Sequence, residues 1–106
     1  MNQELTVPDM NDVSLSEVLK ALADKGRRGV ILDLMNRSSE EHPCSSFELP
    51  KAKSTRTHHW RVLREAGLIT QREAGNGSFV RLRAREFEEC FPGLLQSIRD
   101  ANKNCV

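Results

Sequence analysis

The sequence predicts a mainly α-helical domain that carries one β-hairpin, with its elements in the order α-α-α-α-β-β-α. Two features favour this class. Over most of the chain, apolar residues recur every three or four positions, as they do in helices that bury one face. Residues 68–83 instead alternate between apolar and polar side chains around the Gly-Asn-Gly tripeptide 75–77, which is typical of a hairpin.

The N-terminal part is predicted to be an arm followed by a helix. Residues 1–11 are polar and show no periodicity, so we expect a flexible arm ahead of a single domain over residues 12–106. Ser14 and Glu17 have the spacing of a capping box, in which each side chain bonds the backbone N–H of the other residue. The first helix should therefore begin at Ser14 and end near Asp24.

Three further helices are predicted before the hairpin. The second should follow a break at Gly26. A short third helix should span Ser45–Leu49, because the residue before Pro50 disfavours helical geometry. The fourth helix, Ser54–Ala66, should begin at a serine N-cap and end at Gly67, where glycine allows a left-handed cap.

After the hairpin, the pattern predicts a short turn over residues 85–90 and then a final helix. Pro92 fits the first turn of that helix, where its missing N–H would have no partner in any case. The apolar stripe of this helix consists of Leu94, Leu95 and Ile98.

The net charge of the chain conceals an uneven distribution. With 16 Lys+Arg and 15 Asp+Glu, the formal net charge is only +1. Residues 51–85, however, hold nine basic and two acidic residues, a net of +7, whereas residues 1–50 carry −4 and residues 86–106 carry −2. A basic segment of this kind indicates an anionic partner for one face of the molecule.

The sequence excludes several classes of protein. Its apolar runs are far short of the ~20 residues that a membrane helix needs, and its N-terminus lacks a secretory signal pattern. Three widely spaced cysteines without a C-x-x-C pair fit a reducing cytoplasm better than a disulfide framework. Phosphate-loop, H-E-x-x-H and G-x-S-x-G motifs are missing from the sequence. We therefore expect a cytoplasmic protein that is neither membrane-bound nor an enzyme and that requires no cofactor.

Placed on the predicted elements, the basic segment becomes a short helix, a turn, a second helix and a hairpin, the order of a helix-turn-helix with a β-wing. At ~100° per residue, Trp60, Leu63 and Gly67 face the core, whereas hydroxyls, an imidazole, a guanidinium and the small apolar Val62 face outward. Such groups bind the phosphates and base edges of double-stranded DNA, although an ordinary solvated basic face is the alternative interpretation. The candidate DNA contacts are Lys51, Lys53, Ser54, Thr55, Arg56, Thr57, His58, Arg61, Arg72, Asn76 and Arg81.

Several stretches resemble one known family. KSTRTHHWRVLREAGLI is similar to the recognition-helix motif of the ArsR/SmtB winged-helix repressors, and ALADKGRRGVILDLM is similar to their opening helices. With the hairpin, the similarity covers residues 14–99. It implies a homodimeric repressor that binds an inverted-repeat operator and is released by an inducer, which the sequence does not identify. The implied dimer would form through the terminal helices, at Leu15, Leu19, Leu94, Leu95 and Ile98.

Two residues depart from the pattern of that family. Arg56 stands where an apolar residue is usual, and Trp60 replaces the usual leucine. We expect the Arg56 guanidinium to reach solvent or phosphate while Trp60 fills the space behind it.

Metal sensing is common in that family, but its ligand patterns are missing from this sequence. The two positions of the arsenic-sensing C-x-C motif hold Ser45 and Phe47, and residues 86–106 lack the histidines of the zinc-sensing helix. His42 and Cys44 remain as an H-x-C candidate pair for a soft metal.

Two alternatives stay open beside the DNA-binding repressor. One is a metalloid- or thiol-responsive sensor that uses Cys44, Cys90 and Cys105. The other is a winged-helix module that binds a protein instead of DNA. The simplest interpretation of the cysteines makes Cys90 a small core residue and Cys44 a surface-loop residue. His59 is expected to be partly buried.

Overall fold

The computed structural model describes residues 2–50 and 52–104. Within them, four strands form one antiparallel sheet in the order β1-β3-β4-β2, and five α-helices accompany it. This confirms a mainly α-helical fold with a β-hairpin. The elements are β1 (Asn2–Glu4), α1 (Leu15–Ala23), α2 (Lys25–Asn36), β2 (His42–Pro43), α3 (Lys53–Glu65), β3 (Ile69–Ala74), β4 (Gly77–Leu82), α4 (Ala84–Cys90) and α5 (Leu94–Asn104).

One hydrophobic core joins the helices to the inner face of the sheet. Ile31 of α2, Leu63 of α3 and Phe87 of α4 are fully buried in it. From the sheet, Ile69 and Val80 point into the same cluster. Burying each such side chain stabilises the fold by about 1.5–3 kcal/mol, so the core fixes the position of α3 beside the hairpin.

The junction between α1 and α2 is sharper than the sequence predicts. Ser14 caps α1 as expected, its Oγ accepting from the Glu17 N–H at 3.4 Å. Asp24 then ends α1 and at once caps α2, its Oδ2 accepting from the Arg27 N–H at 2.9 Å. Gly26 therefore lies inside the first turn of α2, and the prediction of a break there is wrong.

The predicted third helix, Ser45–Leu49, is wrong. A single 3-10 turn covers Cys44–Ser46, and Phe47 is extended with φ −110° and ψ 149°. The Arg37 guanidinium donates to the Ser46 carbonyl at 3.0 Å and lies 4.0 Å from the Phe47 ring centroid. These contacts hold the segment open, and a stretch this short cannot offset the cost of nucleating a helix.

The C-terminal region also differs from the prediction. Residues 84–90 form α4 instead of a turn, because Phe87 buries its ring completely against the core. Helix α5 begins at Leu94, after a turn in which Gly93 has a φ of +75°. Pro92 therefore precedes the helix instead of occupying its first turn.

The N-terminal segment contains a strand where the sequence predicts an arm without regular structure. Strand β1 pairs with β3, with Glu4 opposite Arg72. The Leu5 N–H donates to the Gln71 carbonyl at 2.9 Å, and Arg83 Nη1 donates to the Pro8 carbonyl at 2.9 Å. Polar composition hides such a strand, because backbone pairing with an open sheet edge does not depend on hydropathy.

Candidate nucleic-acid interface

Helix α3 is anchored along one side, as the sequence predicts. Trp60 and Leu63 are buried, and the Trp60 ring meets the Phe47 ring edge-on at 5.7 Å between centroids. The N-cap is Ala52, two residues before the predicted Ser54, so Ser54 lies in the first turn of the helix. It ends as predicted at Gly67, which has a φ of +84°.

The N-terminal half of α3 projects from the body of the protein. Residues 52–58 are all exposed, and so is Arg61 one turn further on. Arg56 is exposed as well, in agreement with a guanidinium that avoids the core. Val62 is half-buried against the core and does not face outward as the helical wheel predicts. The exposed candidate contacts on this helix are Lys53, Ser54, Thr55, Arg56, Thr57, His58 and Arg61, while Lys51 lies outside the described residues.

A buried histidine ties α3 to the junction between α1 and α2. His59 is only 8% exposed, and its Nδ1 lies 3.0 Å from Nη1 of Arg27. Because a guanidinium can only donate, the imidazole accepts through Nδ1. Arg27 also donates from Nε to the Ala21 carbonyl at 2.8 Å and from Nη2 to the Lys20 carbonyl at 3.3 Å. The Arg27 side chain thus satisfies two carbonyls at the end of α1 and, through His59, orients α3.

The hairpin β3–β4 stands beside α3 as a wing. Thr70 pairs with Arg81 and Arg72 pairs with Phe79, so both arginines lie on the outer face of the sheet. Asn76 is exposed at the tip, and Gly75 before it has a φ of +58°. The two-residue turn agrees with the predicted hairpin.

Arg72 is held within the chain by Glu41. Its Nη2 lies 2.8 Å from Oε1 of Glu41, and its Nε donates to Oε2 at 3.0 Å. The guanidinium also lies over the Phe79 ring, 4.9 Å from the centroid. The hydrogen bond from Arg72 holds the pKa of the Glu41 carboxyl below its usual range, with the charges of Arg72 and Arg81 acting in the same direction. Sequence reasoning did not find Glu41, because the pair spans 31 positions.

Part of the basic segment serves the fold instead of the surface. Arg64 Nη1 donates to the Gln71 side chain at 2.6 Å, which connects α3 to β3. Arg83 is buried and bonds to Glu86 at 3.2 Å. The exposed positive charge is therefore smaller than the +7 counted along residues 51–85.

The cysteines lie in environments opposite to those expected. Cys44 is half-buried against the core, and burial raises the pKa of its thiol to about 12. Cys90 is exposed on α4, and Cys105 lies outside the described residues. Across residues 2–50 and 52–104, His42 and Cys44 join no group of three or more His, Cys, Asp or Glu side chains that could hold a metal ion.

The predicted dimer contacts separate into two groups. Leu15 and Leu19 lie one turn apart on α1 and are each 48% exposed. Leu95 is only 6% exposed, so it belongs to the core of the chain itself and has little area left for a partner. Leu94 and Ile98 of α5 are half-buried against the same core. Leu95 faces inward because of the orientation of α5, and the dimer contacts at all five positions stay a prediction.

A helix with an exposed N-terminal half, packed on a helical body and followed by a β-hairpin, defines a winged helix-turn-helix protein. The chain is 30% identical over 96 residues to a Bacillus subtilis (strain 168) protein described as the uncharacterized HTH-type transcriptional regulator YceK, and the alignment covers 89% of this chain and 95% of the relative. The chain belongs to the HTH-type transcriptional regulators. No protein-family model matches the sequence. In the part of the chain that the structure describes, no helix is long and apolar enough to cross a membrane.

Proposed function

We propose that this protein is a dimeric, sequence-specific DNA-binding repressor of the ArsR type, with α3 as its recognition helix and β3–β4 as its wing. The observation that carries the proposal is the uninterrupted exposure of residues 52–58 on a helix whose opposite side is buried. A helix that projects in this way can enter a major groove, which is about 12 Å wide.

Different side chains of α3 are proposed to contact the base edges and the phosphates. Thr55 and His58, exposed on α3, offer short donors and acceptors for base edges. Lys53 and Arg61 provide charge for the phosphates on either side. No side chain of the described residues caps the first turn of α3, so its backbone N–H groups can also face phosphate.

The wing adds contacts to the DNA backbone. Arg81 and Asn76 are both exposed on the hairpin, with Asn76 at its tip. A cation here attracts phosphate without selecting a base, so Arg81 contributes affinity for every sequence.

Dimerisation is proposed to use α1 together with the half-buried Leu94 and Ile98 of α5. Leu15 and Leu19 expose a leucine pair at the helical spacing of one turn, an apolar surface that a partner subunit would cover. Two recognition helices related by a two-fold axis would then meet an inverted repeat, with half-sites about 10–10.5 base pairs apart or a multiple of that.

The proposal is tested by selecting binding sites from a random DNA library and then measuring affinity against salt concentration. With about six to eight phosphates contacted per dimer, log K should fall against log salt with a slope of about −5 to −7. Failure to enrich any site, or binding that does not respond to salt, would instead favour a protein-binding role for the winged fold.

Variants separate the proposed roles. His58→Ala or Thr55→Ala should reduce discrimination between operator and altered sites by about 1–3 kcal/mol, whereas Arg81→Ala should weaken all sequences alike. Lys103→Ala, at an exposed position of α5, is the matched charge control and should change neither quantity. Identical effects of the α3 and wing variants would show that the two elements are not specialised in this way.

A further inference from the structure

The ion pair between Arg72 and Glu41 lies on the outer face of the hairpin, the element that the proposed function assigns to the DNA backbone. Arg72 uses Nε and Nη2 together on one carboxylate, at 3.0 and 2.8 Å. This fork is the geometry with which an arginine binds a phosphate group. A phosphate and Glu41 would therefore compete for the same two donors.

A second acid and a second base surround this pair. Glu4 of β1 stands opposite Arg72 in the sheet register. The hydrogen bond to Glu41 raises the pKa of Arg72, and the charges of Glu41 and Glu4 act in the same direction. Arg81 lies on the same outer face of the hairpin and contributes to the field at Glu41. The acids thus neutralise a surface that the wing arginines alone would make positive.

The ion pair between Arg72 and Glu41 is partly exposed to solvent. The side chains of Arg72 and Glu41 are 24% and 38% exposed, so water and salt reach both groups. Exposed ion pairs shift an equilibrium constant by at most about fivefold, far less than a buried pair. A phosphate within hydrogen-bonding distance of Arg72 can therefore displace Glu41 from the guanidinium. A phosphate further away is repelled by the negative charge of the Glu41 carboxylate.

We propose that Glu41 is a specificity-determining residue that competes with DNA phosphate for Arg72 and so weakens binding to arbitrary sequences. This inference rests on the proposed DNA-binding function. When the recognition helix is seated in its operator, the wing is aligned and the exchange is favourable. On other DNA sequences Arg72 of the wing stays paired with Glu41.

The test measures binding to a duplex of random sequence by fluorescence anisotropy over about 50–300 mM KCl. Glu41→Gln should tighten this binding by up to about fivefold per protomer and make the salt slope more negative by about 0.9 per protomer. Glu40→Gln is the matched control, because it removes the same charge from an exposed neighbouring residue. It should cause a clearly smaller change.

The Arg72→Gln variant tests whether Glu41→Gln tightens DNA binding by releasing Arg72 from the ion pair. In a chain that already carries Arg72→Gln, adding Glu41→Gln should change binding no more than Glu40→Gln does. Equal effects of the two glutamate variants, or an effect of Glu41→Gln that survives without Arg72, would overturn the inference. Wild-type protein that binds no DNA at low salt would overturn the proposed function as well, and circular dichroism of each variant shows that the fold is retained.

Discussion

Replacing Gly67 by alanine should destabilise the protein by about 2–5 kcal/mol. Gly67 terminates α3 with a φ of +84°, and this left-handed conformation costs alanine about 1–2 kcal/mol. A Cβ atom at this position would also overlap Cγ2 of Val13 and lie 3.3 Å from its Cγ1. Because the β-branched valine has few rotamers, relieving this overlap adds about 1–3 kcal/mol.

Gly75→Ala is the matched control for the backbone contribution. Gly75 also has a positive φ, +58°, but apart from the glycine and its two chain neighbours no described residue lies within 4 Å of the position that its Cβ would take. Only the left-handed cost of about 1–2 kcal/mol should then appear. The difference between the two variants isolates the contact with Val13.

Urea unfolding followed by circular dichroism, at one fixed protein concentration, measures these free energies. The double variant Val13→Ala/Gly67→Ala should recover part of the loss, because the shorter side chain removes the overlap. If Gly67→Ala and Gly75→Ala cost the same, or if the Val13 and Gly67 substitutions are strictly additive, the overlap does not contribute and the reasoning is refuted.

Three further predictions concern other parts of the molecule. Iodoacetamide at pH 8 should label exposed Cys90 at least about tenfold faster than Cys44, whose raised pKa of about 12 leaves few thiolates; peptide mass mapping would reveal equal rates if this is wrong. Replacing Leu15 and Leu19 together by serine should yield monomers in analytical ultracentrifugation, and a persisting dimer would place the interface elsewhere. Asp24→Ala should cost about 0.5–2 kcal/mol at pH 7. The backbone hydrogen bond from Arg27 holds the pKa of Asp24 below its usual range, so the charged cap contributes fully above the ordinary pKa of an aspartate. The deficit in thermal unfolding should shrink as the pH falls through the lowered pKa, and a constant deficit would contradict this.

Features that depend on a few neighbouring residues were predictable from the sequence. The buried side of α3 follows from the spacing of Trp60 and Leu63, which is set by helical geometry whatever the helix packs against. Gly67 and the hairpin turn at Gly75 were found for the same reason, since local backbone conformation limits which residues fit.

Features that depend on distant partners were not predictable. The failure of the third helix depends on Arg37, whose guanidinium reaches Ser46 from the end of α2. The pairing of Arg72 with Glu41 requires the register of β2 beside β4. Charge counts along the chain treat every arginine as equal, and only the fold separates those that hold the structure together from those that face outward.

The flanking strands also determine how stiff the wing is. Strand β1 covers the outer edge of β3 and β2 covers that of β4, so the hairpin is the central pair of its sheet. Bending the tip would require neighbouring backbone hydrogen bonds to move with it. The wing is consequently preorganised before it meets any ligand, and little conformational entropy remains to be lost when it binds. Shortening the N-terminus by four residues would remove β1 and return that entropy to the hairpin, although none of the removed residues is itself a proposed DNA contact.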